Sequence, residues 1–381
     1  MEARPIMKFG LFVYCTVGRR HELEQGMAGR RPELYQRMLG ELGDLARFAD
    51  ELGYFAMGHP EHHLQIEGFE ASNDPCLMAM WLGQHSQKMR IVTCGFVSTV
   101  NNPLMTAEKI ATLDHMLQGR FGVGLVRGYQ ARWVENYKIK SELTAVGPWN
   151  AKTPADDLNR EYFAEFVDVV VNALSNETIN HQGKHWQFPP KDFVNPHDHP
   201  VYYNLGKGVD SEMRVTEVGI APKPYQDNIP LYGGFSQSLR TAKFWAKYKG
   251  RPIVLSGDKD FLSLLWKEWG EEAKLHGHDF KPGEQACWGG MSICAETDEK
   301  AWKLFEDVEW FWKTWSTPFG QGMPELLVGS PETLNKRIEE ISKTVPIDEV
   351  FLLVPQGILP PEQLNESIEL FARKVMPNFA D

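Results

Sequence analysis

Residues 102–129 read NPLMTAEKIATLDHMLQGRFGVGLVRGY, and the way this stretch divides decides the fold. Thr106–Gln118 reads as a helix that stops at Gly119, and Arg120–Arg127 follows at once as a strand. A helix handing directly to a strand is half of a parallel βα repeat. The same alternation runs outward in both directions. Upstream, Lys8–Tyr14 is a strand, and Pro32–Leu52 is a helix with Leu34, Met38, Leu42, Leu45, Phe48, Ala49 and Leu52 at helical spacing. Gly53 stands where a C-cap glycine belongs. Tyr54–Gly58 and Arg90–Ser98 read as the next strands, with a helix over Pro75–Ser86 between them.

Downstream, helices are predicted over Asp156–Ser175, Ser236–Lys249, Phe261–His276, Asp298–Trp315, Pro331–Lys343 and Pro361–Val375. They alternate with strands over Pro230–Gly234, Pro252–Ser256, Ala286–Ala295 and Glu349–Val354. Eight strand–helix pairs predict an α/β fold of the (β/α)8 TIM-barrel type, in preference to an open doubly wound sheet. Three irregular stretches, 129–155, 178–230 and 316–330, are expected as insertions at the C-terminal face of one domain spanning 1–381. The second opens on a hairpin, Thr178–Phe188, turning at Gln182-Gly183, and continues through a Pro/His/Tyr/Gly-rich loop.

The formal net charge of −11 argues against nucleic acid as a partner, so an anionic ligand needs locally placed arginines. Cysteines 15, 76, 94, 287 and 294 show no CxxC spacing and read as reduced thiols of a cytoplasmic protein. No apolar run reaches the roughly 18 residues of a membrane span. Met1–Pro5 runs straight into the first strand without the layout of a signal peptide.

Catalytic groups of such barrels stand just past the C-terminal ends of strands. The second strand ends in His59-Pro60-Glu61-His62-His63. The cluster lacks the completed ligand set of a metal site, so no metal is expected. It reads either as a solvated loop or, preferably, as a histidine that hydrogen-bonds a reactive species near neutral pH. The fourth strand ends in Arg127, a cation that needs an anion: a bound ligand, or an internal carboxylate such as Glu61. Gly233-Gly234-Phe235-Ser236-Gln237-Ser238 precedes a helix, with Ser236 as its N-cap, as a phosphate donor, or as both. Phe12, Tyr14, Met57, Phe96, Trp288 and Met291 suggest an apolar pocket, with core packing the alternative for about half of them.

Together these residues carry a resemblance. His59–His63, the block Asn102–Tyr129, Gly183-Lys184-His185-Trp186, Gly233–Ser236 and Val328–Thr333 occur in the order found in bacterial luciferase-like, flavin-dependent monooxygenases. The glycine–serine stretch and Gly-Lys-His-Trp are most similar to the diketocamphane-type branch. The resemblance spans Lys8 to Pro377. It implies reduced FMN (a reduced deazaflavin in one branch) over the barrel mouth. Arg127, Arg160, Ser236 and Ser238 match phosphate-binding positions, and His62 matches the histidine that supports the oxygenated flavin. Cys94-Gly95 match a non-prolyl cis peptide beneath the isoalloxazine. Val126, Tyr129 and Phe235 fall beside the flavin, and Phe12, Glu61 and Asn102 toward the substrate. Val126 replaces the reactive cysteine of true luciferases, which turns the expectation from light emission to oxygenation, and Asn102 replaces a histidine, which implies changed polar contacts around the substrate.

The implied activity is an FMNH2-dependent, two-component monooxygenase. It would insert one atom of O2 into an apolar organic substrate, by hydroxylation or Baeyer–Villiger chemistry, through a flavin peroxide. A separate NAD(P)H:flavin reductase and a homodimer belong to the same expectation. The alternatives are a deazaflavin-dependent reductase or dehydrogenase of the same fold, and a non-catalytic flavin-binding protein.

Overall fold

The computed structural model describes residues 6–236 and 238–379. The Met1–Pro5 stretch and Gln237, both used in the sequence reading, lie outside the described residues.

The strands in chain order are β1 (Lys8–Phe12), β2 (Ala56–His59), β3 (Arg90–Val97), β4 (Phe121–Val126), β5 (His181–Gln182) and β6 (Gln187–Phe188). They continue as β7 (Leu231–Gly233), β8 (Arg251–Val254), β9 (Cys287–Cys294), β10 (Leu326–Gly329) and β11 (Glu349–Leu353). Among the described residues eight parallel strands close a barrel in the order β11-β1-β2-β3-β4-β7-β8-β9, with β9 pairing back onto β11. All eight overlap the segments expected from the alternation of strand and helix; β2 runs one residue past its segment, to His59, and β8 begins one residue before its own, at Arg251. The strands β5 and β6 form a separate antiparallel hairpin, in which Gly183 N–H donates to the Trp186 carbonyl at 2.9 Å.

The structure corrects the sequence reading in three places. Residues 316–330, expected to be irregular, contain β10, which pairs with Met291–Cys294 of β9. The reason is a length mismatch: β9 has eight residues while four-residue β8 covers only Cys287 and Trp288, which leaves the far half of that edge open. Leu326-Leu327-Val328 is too short a run to be distinguished from a loop by its pattern alone. Residues 129–155 contain a helix, Ala131–Tyr137, held by burial of Trp133 and Val134 against Val97 and Ala145. Seven residues are too few for local periodicity to show it. The helix expected to run to Trp315 ends at Phe311, and Trp312–Ser316 continues as a π-helical turn.

Several of the other helices begin where a side chain satisfies their first N–H groups. Asp74 accepts from Cys76 and Leu77 ahead of the helix Pro75–Gln84, and Asp258 accepts from Asp260 and Phe261 ahead of Lys259–Leu275. Inside the barrel, Gly289 of β9 is required because a Cβ there would drive into the Phe351 carbonyl of β11. Near the start of β11 a buried polar group closes the interior. Glu349 accepts from the Tyr232 hydroxyl at 2.9 Å and lies 3.3 Å from Arg251 Nε, and burial raises its carboxyl above the ordinary range.

The chain divides into two compact units. The first takes the described residues of Met1–Gly95, Arg120–Leu125 and Pro230–Asp381, and so most of the barrel sheet. The second takes Phe96–Gly119 and Val126–Ile229. Within the second, the helices Pro103–Met116 and Pro154–Ser175 pack together, and buried Asp114 accepts from the backbone and side-chain amides of Gln226 at 2.7 and 2.6 Å. No described helix is long and apolar enough to cross a membrane.

His59, at the end of β2, is fully buried, and burial lowers its ring from 6.5 to about 4. The unfolded chain therefore binds the proton first. Stability is complete above pH 6.5 and is lost as the pH falls toward 4, by roughly 3 kcal/mol from this group. Urea titrations between pH 7 and 4 should show a smaller acid loss in His59→Gln than in the parent; equal losses would contradict the assignment.

Candidate active site

The loop after β2 places Glu61, His62, His63 and Glu70 in the first unit. His63 Nε2 meets Glu61 Oε1 at 2.8 Å, so Glu61, expected near the substrate or opposite Arg127, is engaged by its own neighbour. The His62 backbone N–H donates to the Ser72 carbonyl at 2.7 Å, which turns the loop back on itself. The His62 ring is buried, with Nδ1 at 3.2 Å from Glu70 Oε2. Burial lowers its pKa below 6.5, while the Glu70 and Glu61 charges oppose that shift. The Trp315 indole N–H donates to the same Glu70 oxygen at 2.8 Å, and its ring stacks on Phe69 at 4.9 Å.

Glu70 and Trp315 were not singled out from the sequence. The available signal was an acidic residue inside the otherwise small and apolar run Gly68-Phe69-Glu70-Ala71-Ser72. Such a group must be paired if it is buried.

The Cys94–Gly95 peptide is cis, at the position the resemblance implied. A Cβ on Gly95 would collide with the Gly124 backbone, so β3 and β4 approach there without side chains between them. Burial pushes the Cys94 thiol up to about 12, which keeps it protonated and unreactive.

After β7, Phe235 (φ 41°) turns its ring onto Phe12, with centroids 4.9 Å apart. Ser236 is buried, donates its N–H to the Ile253 carbonyl at 2.8 Å and places its Oγ 3.4 Å from the Gly233 carbonyl. It does not cap a helix. The helix is Leu239–Ala246, and its cap is Ser238, which accepts from Thr241 N–H. The sequence reading put the cap two residues early because either serine satisfies the cap pattern.

Beside these residues lies a cavity of ≈ 360 Å3, whose walls include Tyr14, Phe235, Ser236, Phe261, Trp312 and Met323. Phe12 does not reach it. Phe12 has no exposed surface and backs the Phe235 ring instead. Met57, Trp288 and Met291 are likewise barrel core, and Phe96 is core of the second unit, so of the six apolar candidates Tyr14 is the one in the cavity wall.

The second unit carries an ionic cluster. Asp156 lies between two guanidinium groups, Arg127 Nη1 at 2.6 Å and Arg160 Nε at 3.1 Å. Burial pushes the Asp156 carboxyl up, but the hydrogen bonds from Arg127 and Arg160 outweigh it and hold it at about 2. The arginine side chains remain 24% and 23% exposed. Arg127 thus has an internal carboxylate, but it is Asp156 and not Glu61. Helical spacing from Asp156 to Arg160 is visible in the sequence; the approach of Arg127, 29 residues away, is not.

The Tyr129 hydroxyl accepts from Gln130 Nε2 at 3.0 Å, and Gln130 in turn accepts from the Trp133 indole at 3.1 Å. Val126 packs on the Trp133 cluster. Asn102 Oδ1 caps the helix Pro103–Met116, accepting from Leu104 and Met105, so the residue expected toward the substrate has a local structural task. No group of three or more His, Cys, Asp or Glu among the described residues is arranged to hold a metal ion.

The profile of the family described as luciferase-like monooxygenase matches residues 7–346. An uncharacterized protein of Sinorhizobium fredii is 25% identical over 157 residues, 41% of either chain. The alkanal monooxygenase alpha chain of Aliivibrio fischeri is 23% identical over 316 residues, 81% of this chain and 70% of that one. The match thus spans less than half of the first relative's length. Among solved structures, the monooxygenase RslO1 of Streptomyces bottropensis superposes with a TM-score of 0.72 at 20% identity, over 98% of this chain and 100% of that one. The oxygenating constituent of the Pseudomonas putida 3,6-diketocamphane monooxygenase, a type II Baeyer–Villiger enzyme in complex with FMN, gives 0.70 at 18% identity, over 97% and 98%. The coenzyme F420 dependent tetrahydromethanopterin reductase of Methanopyrus kandleri gives 0.61 at 14% identity, over 99% and 100%. At these identities the likeness shows a shared fold. The profile match covers most of the sequence, and this chain belongs to the luciferase-like monooxygenase family.

Proposed function

We propose that this chain is the oxygenase component of a two-component monooxygenase that uses reduced FMN and O2 on an apolar organic substrate. The observation that carries the reading is His62, a buried ring below its ordinary pKa, set 3.2 Å from Glu70 at the carboxyl end of a barrel strand. A ring of this kind is neutral near pH 7. With Nδ1 facing a carboxylate, its proton resides there and Nε2 is left to accept one.

The residues present fit a flavin mononucleotide. Arg127 and Arg160, fixed by Asp156 and still partly exposed, suit a phosphate dianion. The side-chain-free approach of Gly95 to Gly124 suits a flat ring. When bound, reduced flavin supplies the electrons and the reactivity toward O2. The chain's own part is to bind, to exclude water and to hold protons. In the second unit Arg127 and Arg160 take the phosphate; in the first, His62 Nε2 accepts and returns a proton, and Glu70 holds the opposite edge of the ring. Tyr14 and Phe235 supply apolar wall against water. A separate NAD(P)H:flavin reductase and a homodimer belong to this reading. Hydride transfer with a reduced deazaflavin is the rival, since the Methanopyrus reductase shares the fold; anaerobic product formation would favour it.

Anaerobic calorimetry on Arg127→Ala should show reduced-FMN affinity falling about ten- to a hundredfold, the scale of a lost charged hydrogen bond. Undiminished affinity would remove Arg127 from the phosphate site. With a generic flavin reductase, His62→Gln should release more H2O2 per NADH consumed at unaltered flavin affinity; parental coupling would sink its proton role. The acid limb of coupling should lie below pH 6.5, because the neutral ring is the working form and burial lowers its pKa. Glu70 opposes that lowering, so Glu70→Gln should move the limb to still lower pH. A limb that moves upward would contradict the pairing.

A further inference from the structure

Two donors meet on one buried carboxylate oxygen in the first unit. Glu70 is 2% exposed, and its Oε2 takes the Trp315 indole N–H at 2.8 Å and faces His62 Nδ1 at 3.2 Å. An indole nitrogen only donates: it carries no charge, accepts no hydrogen bond and does not titrate. Placed beside a buried ion pair, such a donor draws on carboxylate charge that would otherwise act on the histidine. The low local dielectric enlarges that effect.

The surroundings hold the indole in place. Its ring lies parallel to that of Phe69, with 1° between the planes and 4.9 Å between centroids, and Phe69 directly precedes Glu70. Phe69 packs in turn on Trp310 at 5.8 Å and Phe311 at 5.4 Å, and the Arg20 guanidinium stands 5.1 Å over the Trp310 ring. Trp315 arrives on the π-helical turn Trp312–Ser316 that follows the helix Asp298–Phe311. A π-turn adds a residue to the helical circuit and so redirects the side chains that follow, and such turns recur at functional sites. The remaining groups around the pair are few. Glu61 and His63 act on the His62 ring from its own loop. Tyr14 and Cys15, after β1, feel the Glu70 charge, and burial keeps both the phenol and the thiol protonated.

We propose that Trp315 is a positioning residue for the His62 proton: by sharing Oε2 with the ring, its indole N–H weakens the hold of Glu70 on the imidazolium and favours the neutral ring. Burial of the ring works in the same direction, and the Glu70 charge opposes it. The use of that neutral ring in oxygenation rests on the oxygenase reading above; the sharing of Oε2 does not.

The test follows the His62 ring by NMR in the purified full chain without flavin, using isotope-labelled histidine and assigning the signal by its loss in His62→Gln. Trp315→Phe keeps an aromatic ring for Phe69 and removes the N–H. Its His62 midpoint should rise by about half a pH unit, a roughly threefold tighter proton, the scale of a partly lost hydrogen bond to a charged group. In Glu70→Gln, which removes the shared charge, adding Trp315→Phe should leave the midpoint in place. In the parent chain, the Trp315 indole proton, assigned through its contacts with Phe69, should shift with the same midpoint as His62; this measurement needs no variant to fold. A midpoint that stays or falls in Trp315→Phe overturns the proposal. So does an equal rise with and without the Glu70 carboxylate, which is a packing effect, and so does an indole resonance that ignores the His62 titration.

Turnover with a generic flavin reductase separates the two readings. The acid limb of coupling should move up in Trp315→Phe together with the His62 midpoint. A midpoint that rises while the limb stays, or in a chain that consumes no O2, upholds the role of the indole and removes His62 from the oxygenase reading. An unmoved midpoint in a chain that couples normally overturns the role of the indole and leaves the oxygenase reading standing.

Discussion

Closure of the barrel at β9 is the constraint on which the other features of the first unit depend. Cys287–Cys294 pairs with β11 along one edge, and with β8 and then β10 along the other. Because β8 ends after four residues, the chain beyond Val254 leaves the sheet, and Glu325 N–H takes up the Leu255 carbonyl at 2.9 Å to bridge toward β10. The cavity lies against that departure, lined by Leu255, Ser256 and Gly257 on one side and by Gln321 to Glu325 on the other. A longer β8 would satisfy the edge of β9 and remove the space.

The electrostatics of the first unit follow from the same economy of water. Burial lowers the pKa of His62, while Glu70, held by the Trp315 indole, keeps a carboxylate at its Nδ1 edge. The ring is therefore both neutral and oriented, which a solvated histidine in a polar loop would not be. The second unit uses the opposite arrangement. A single carboxylate, Asp156, positions two guanidinium groups that remain partly in solvent.

Much of the fold was legible in the sequence because strand and helix patterns are local properties. The alternation from Lys8 to Lys374 follows from apolar residues recurring at the strand and helix periods, and from glycines such as Gly53 and Gly119 where helices stop. The block around residues 102–129 marked both the fourth strand and the family. Candidate residues at strand ends, His62 and Arg127 among them, followed from where barrels carry their chemistry.

What each candidate touches was decided by tertiary structure alone. Arg127 meets Asp156 and not Glu61, Asn102 caps a helix, Phe12 lies behind Phe235, and Ser238 in place of Ser236 opens its helix. Trp315 reaches Glu70 across 245 residues, and Trp312 enters the cavity wall because a π-helical turn replaces the end of an α-helix. The physical reason is one of range. Backbone conformation responds to neighbours within a turn or two of chain, and composition carries that information. The partner of a buried polar group is whichever group the closed barrel and the packed helices bring within about 3 Å, and no local pattern encodes that meeting.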